Sequence, residues 1–152
     1  MITKIYIIHE NDEWISQLKL ELENLNQPYE TWFIDELELD LDTDPPHGIF
    51  YNRMSASSHT RDHRYAPEMT AALLSWLKSH GRRVINDRDA LRLELSKVEQ
   101  YCALKTAGIK TPYTLAVNSL DMIMDAAIKL NVKPFIIKQS IVHYQLWQHT
   151  IS

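Results

Sequence analysis

Glycine is scarce in this chain of 152 residues: Gly48, Gly81 and Gly108 are the only three, and none follows position 108. Loops that fold closely over phosphates rely on glycine, because a Cβ blocks both the approach and the left-handed backbone. No glycine-rich phosphate cradle can therefore be drawn in the later part of the sequence. Cysteine is scarcer still. Cys102 stands alone, so no bridge forms within the chain, and a reducing, cytoplasmic setting is expected. It falls in a helical pattern, where it reads as a small hydrophobe. No apolar run approaches the roughly 20 residues of a membrane span, and MITKIYII reads as a strand rather than a leader, so no membrane association is expected. Positive charge is not in excess either: 16 Lys and Arg against 20 Asp and Glu give −4. A nucleic-acid partner is not expected, and any anion site must be a local cluster.

What is present suits packing. Hydrophobic residues make up 45%, with four tryptophans and seven tyrosines. The length suggests one domain, or one plus a piece of a second. ITKIYII (2–8) has the unbroken apolar character of a strand buried on both faces. Asn11 can cap the next helix, with Asp12 and Glu13 in its first turn, Trp14, Ile15, Leu18, Leu22 and Leu25 at helical spacing, and Pro28 beyond its end. YETWFI (29–34) reads as a second strand and ELELDLDTDPPHG as a solvated acidic connection. GIFYNRM (48–54) is a third strand, Pro67 and Glu68 open a second helix closed by Gly81, and RRVIN (82–86) is a fourth strand. This is the order of an open, mostly parallel α/β sheet.

After about residue 88 the rhythm restarts. Ser96 and Glu99 form an S-x-x-E capping box for a helix ending at Gly108. TPYTLAV (111–117) reads as a strand, Ser119 as the cap of a further helix, and KPFIIK (133–138) as another strand. A boundary is expected within 88–95.

Two lysines and one loop carry chemistry. Lys97 lies in the first turn of the capped helix, where a cation is unfavourable by ~0.3–1 kcal/mol unless an anion is near. Lys138 closes an apolar strand, and either reaches solvent or faces an anion in a cleft. Taken singly, each has a bland reading as an exposed lysine; together they suggest a phosphate site. The loop MSASSHTRDHRYAPE (54–68) admits three readings. His59 and His63 could hold a metal, although Arg61 and Arg64 would repel it. The loop could simply be solvated, its arginines paired with acids such as Asp62 and Glu68. Or it could bind an anion, with hydroxyls of Ser55, Ser57, Ser58 and Thr60 beside the forked donors of Arg61 and Arg64. Its place after the third strand favours the last, since open α/β sheets put their ligand crevice there.

The stretches YIIHENDEW, FYNRMSASSHTRDHRYAPE, GRRVIN, LELSKVEQYCALKTAGIKTP and KPFIIK resemble the amino-terminal part of ATP-grasp proteins. The group resembled is the glutathione-synthase-like or α-L-glutamate-ligase-like one, related to the ligase that adds glutamates to a ribosomal protein. The resemblance covers residues 4–138 and implies a carboxylate–amine ligase family: ATP phosphorylates a carboxylate and an amine attacks the acyl phosphate. It implies a Rossmann-like pre-ATP-grasp domain with a mostly parallel sheet (1–88), then the start of an ATP-grasp α+β subdomain (89–138). Lys97 and Lys138 fall where that family's nucleotide-contacting lysines lie. The loop residues Ser55, Ser58, His59, Thr60, Arg61, His63 and Arg64 would face the acceptor substrate, expected to be an acidic amino acid or peptide.

The pattern breaks after Lys138. The family continues into a glycine-rich turn and, much later, its magnesium ligands; here QSIVHYQLWQHTIS follows (139–152), with no family likeness. Three outcomes are expected from this: a truncated or frameshifted ligase with half an ATP site, a subunit completed by a carboxy-terminal ATP-grasp half on a separate chain, or a non-catalytic α/β binding module. Productive binding of ATP and magnesium by this chain alone is not expected.

Overall fold

A computed structural model describes residues 3–138. It divides into two compact units, Met1–Leu91 and Arg92–Ser152.

The first unit is a four-stranded, wholly parallel sheet in the order β2-β1-β3-β4, formed by β1 (Ile5–His9), β2 (Tyr29–Phe33), β3 (Ile49–Asn52) and β4 (Arg83–Ile85). Helix α1 (Asp12–Asn24) joins β1 to β2, and α2 (Ala66–Ser79) joins β3 to β4. The two crossovers travel in opposite directions from the centre of the sheet. With the right-handed crossover that such units adopt, the helices cover opposite faces.

Local chemistry sets the ends of these elements. The Asn11 side chain accepts from the N–H groups of Glu13 and Trp14, satisfying two otherwise orphaned donors of α1. Pro67 occupies the first turn of α2, and Gly81, at φ +67°, closes it with its N–H on the Lys78 carbonyl. On one face of the sheet Ile7 packs with Ile15 and Leu22 of α1, supported by Ile5, Leu18 and Tyr29. On the other, Tyr6 stacks on Phe50 at 4.8 Å between ring centres, with Trp32 tilted against both. Trp14 and Leu25, assigned by spacing to the apolar side of α1, are instead exposed.

Gly48 enters β3 where β1 comes closest. A Cβ there would stand 2.6 Å from both the Lys4 carbonyl oxygen and a Tyr6 ring carbon, too near for any side chain. The acidic connection before it, 35–47, is mostly exposed but anchored. The Arg82 guanidinium donates to the carbonyls of Pro45 and Pro46, and Pro45 is buried.

Helix α3 (Arg88–Leu95), which the sequence reading left as a boundary, begins where Asp87 accepts from the N–H groups of Asp89 and Ala90. The second unit holds α4 (Lys97–Thr106) and α5 (Met122–Leu130), neither with a buried residue. Ser96 caps α4 through the Glu99 N–H, at 3.3 Å, as the capping box predicts. Two expectations are corrected. Residues 111–117 and 133–138 are not strands, and among the described residues no strand follows Ile85. Their sequences suit a sheet, but extended chain becomes strand only beside a ladder partner, and the described residues offer them none. Ser119 does not cap a helix directly: its Oγ accepts the Asp121 N–H, and α5 starts at Met122. Cys102, read as a small hydrophobe, is exposed on α4. The tail 139–152 lies outside the described residues. Among the described residues no helix is long and apolar enough to cross a membrane.

Candidate functional site

In the order β2-β1-β3-β4 the outgoing connections of β1 and β3 part to opposite sides, so a crevice opens between their carboxyl ends. Two segments border it: His9-Glu10-Asn11 after β1, and residues 53–65 after β3. The loop singled out by sequence is therefore at the topological switch point of the sheet.

Glu10 organises it. Its carboxylate has no solvent exposure and would be costly to bury without partners. Oε1 accepts from Nη2 of Arg61 at 2.7 Å, and Oε2 from the Ser55 N–H at 3.1 Å. Arg61 is held further: Nη1 donates to Ser57 Oγ at 3.1 Å, and the guanidinium carbon lies 4.5 Å from the Trp14 ring centre. Its Nε is buried without a hydrogen-bond partner. An arginine neutralised in this way fixes the loop rather than offering its fork to a ligand.

The other loop residues divide by position. Ser55 and Ser57 exchange a hydroxyl hydrogen bond at 3.0 Å, and Thr60 Oγ1 donates to the Ser57 carbonyl. Ser58 is fully buried, and its hydroxyl has no partner. His63 Nδ1 makes a short contact with an Asp35 carboxylate oxygen, and its ring meets the edge of Phe33. Phe33 also meets His9, whose buried Nδ1 has no partner among the described residues and whose imidazole is held below its ordinary range by desolvation, against weaker upward pulls from Asp12 and the Asn11 backbone. Arg64 is exposed and lies over the exposed ring of Tyr65 at 5.6 Å. His59 belongs to the short 3-10 turn Ser58–Arg61. Arg64, with Arg53 beside Tyr51, is thus the cation of this region left facing solvent.

Sequence reasoning missed Glu10, Asp35 and the Asn52–Asn86 pair. Asn52 donates its amide to the Asn86 carbonyl at 3.1 Å and Asn86 returns the bond at 3.2 Å, tying the ends of β3 and β4. The signal for Glu10 was on the page: an acid directly after the buried run YIIH has to find a counter-charge.

The two lysines lie in the second unit. Lys97 is at the first helical position of α4, its Nζ 3.4 Å from Gln100 Oε1. Lys138 is exposed, and the segment 133–138 that it closes joins no sheet among the described residues. Among the described residues no three His, Cys, Asp or Glu side chains gather as a cation would need.

No known protein-family profile matches the chain, and neither does any curated protein sequence. A solved structure does: a RimK domain protein ATP-grasp from Sphaerobacter thermophilus, with a TM-score of 0.62 and 17% identity over 86% of this chain. The chain spans 50% of that structure's length. At this identity the likeness establishes the fold: the chain shares an α/β architecture with an ATP-grasp protein, as the sequence resemblance implies.

Proposed function

We propose that this chain is a portion of an ATP-dependent carboxylate–amine ligase: the acceptor-side domain together with one segment that faces the nucleotide. The observation that carries this reading is the fold shared with an ATP-grasp protein over 86% of the chain, joined to a loop fixed at the sheet's switch point. In this reading Arg64, with the one hydroxyl proton that the Ser55–Ser57 pair leaves free, meets the carboxylate of an acidic amino acid or peptide. Glu10 and Arg61 hold the loop in shape. Lys97 and Lys138 supply positive charge toward the phosphates of ATP, which is what phosphoryl transfer asks of a protein. No glycine follows Gly108 to fold over the phosphates, and no catalytic step is assigned to the described residues.

The chain alone is expected to show no turnover. The assay is ADP release by purified protein with ATP, magnesium and panels of acids and amines. Sustained ADP formation that disappears in Lys138→Ala would defeat this. Ligand capture is tested separately by titrating acidic peptides: binding is expected to weaken about tenfold in Arg64→Ala, the loss of one charge-assisted contact. Equal binding by parent and variant would remove the acceptor assignment.

A second reading, favoured by the exposed apolar side chains of the second unit such as Ile128 and Ile136, is a subunit completed by a separate carboxy-terminal ATP-grasp half. In that case turnover appears only when the two chains are mixed. A module that binds an acidic ligand without ATP is the remaining outcome.

A further inference from the structure

Away from the switch point, a groove of about 290 Å³ lies against β4. Leu74 and Lys78 of α2, Arg82, Arg83 and Val84 at the start of β4, and Asp87 and Arg88 at the start of α3 line it. β4 is the last strand in the sheet order, so its outer edge has no ladder partner among the described residues. Four of the seven lining residues are cationic and one is acidic, in a chain whose net charge is −4. Such a local reversal of sign needs an explanation.

Two of the charges are already committed. Arg82 gives its guanidinium donors to the carbonyls of Pro45, Pro46 and His80, which fastens the acidic connection. Asp87 turns its Oδ1 to the first N–H groups of α3. Lys78, Arg83 and Arg88 remain, all exposed, around an apolar floor of Leu74 and Val84. Like charges lining one small groove are unfavourable unless an anion joins them. Two guanidinium forks and an ammonium match the several oxygens of a condensed phosphate better than one carboxylate.

We propose that this groove is a second, separate anion site, for a small molecule carrying linked phosphates. It is independent of the ligase reading, because it lies wholly within the first unit and uses none of the residues assigned there. The free source would be an inorganic polyphosphate and the bound source the phosphate chain of a nucleotide; both present the same oxygens to Lys78, Arg83 and Arg88.

The test is isothermal titration of the full chain with inorganic tripolyphosphate at low and moderate salt, repeated with ADP. Saturable binding that weakens with salt is expected, and a drop of about a hundredfold in the double variant Arg83→Gln, Arg88→Gln, at roughly tenfold for each charged contact removed. Both side chains are exposed, so the variant should keep the parent's circular dichroism and melting temperature. Should it not, Lys78→Gln serves in its place, with a drop of about tenfold expected. The variants Lys110→Gln and Lys129→Gln, exposed cations of the second unit with no binding role assigned, should bind tripolyphosphate as the parent does. Binding of ADP as strong as that of tripolyphosphate assigns the nucleotide source; weaker ADP binding assigns the inorganic one. No saturable binding, or binding that the groove variants keep at the parent's strength, overturns the proposal.

Discussion

Phe50 and Ile7, on neighbouring strands of the first unit, are fully buried, whereas Ile128 and Ile136 in the second are 73% and 79% exposed. Apolar side chains are equally at hand in both regions. In α5 Ile123, Ala127 and Leu130 follow a helical period as regular as that of Leu73, Leu74 and Leu77 in α2. What differs is the layer opposite. The first unit has a parallel sheet with a helix on each face, and each isoleucine buried there is worth about 1.5–3 kcal/mol. Among the described residues the second unit has helices and extended chain but no sheet. Periodicity decides which face of an element wants to be covered; only a partner layer decides whether it is.

The largest test of this contrast is a pair of truncations. Phe50→Ala should cost about 3–5 kcal/mol in urea unfolding, because it leaves a cavity beside Tyr6 and Trp32 where the buried ring stood. Ile128→Ala should stay within about 0.5 kcal/mol. A comparable loss at both positions would mean that α5 is covered in solution, and the contrast would fail.

Next in size is the ion pair at the crevice. Glu10→Ala leaves the partly buried Arg61 without its counter-charge and the Ser55 N–H without an acceptor, a loss of about 3 kcal/mol. Breaking the ion pair of Arg92 with Glu99 in the second unit, where both side chains are about half exposed, should cost about 0–1 kcal/mol. Stability of the two single variants, set beside Glu10→Ala combined with Arg61→Ala, separates a buried charge left alone from simple loss of contact. If the double variant is no more stable than Glu10→Ala alone, the latch described here is wrong.

The smallest effect concerns pH. Desolvation keeps His9 below the ordinary imidazole range, so between that lowered value and about pH 6.5 the unfolded chain binds the extra proton. His9 therefore contributes stability that is present above about pH 6.5 and lost as the pH falls through its folded value. In His9→Gln the acid-side decline should be shallower than in the parent, as measured by urea midpoints at a series of pH values. Parallel curves would show that His9 is not desolvated as described.

Local chemistry was legible where a single residue decides it. Asn11, Pro67, Gly81 and Ser96 each mark a helix end that the structure places within a residue or two of the expected position. The four strands of the first unit were readable because they carry unbroken or β-branched runs between turn signals. The same signals misled at 111–117 and 133–138, since composition reports fitness for a sheet and says nothing of whether a neighbouring strand exists. In the candidate site, the loop and its place after β3 could be read, but the employment of Arg61 could not. Its partner Glu10 is 51 positions away, and charge pairing at that separation is a product of the fold.

Gly48 has a consequence for anyone altering this protein. The thirteen-residue acidic stretch before it is mostly solvated, yet it ends on a position where a single methyl group would collide with main chain and aromatic ring alike. A side chain there would have to push β3 off β1 at their amino ends or displace the Tyr6 ring, so position 48 guards the pairing of the two central strands.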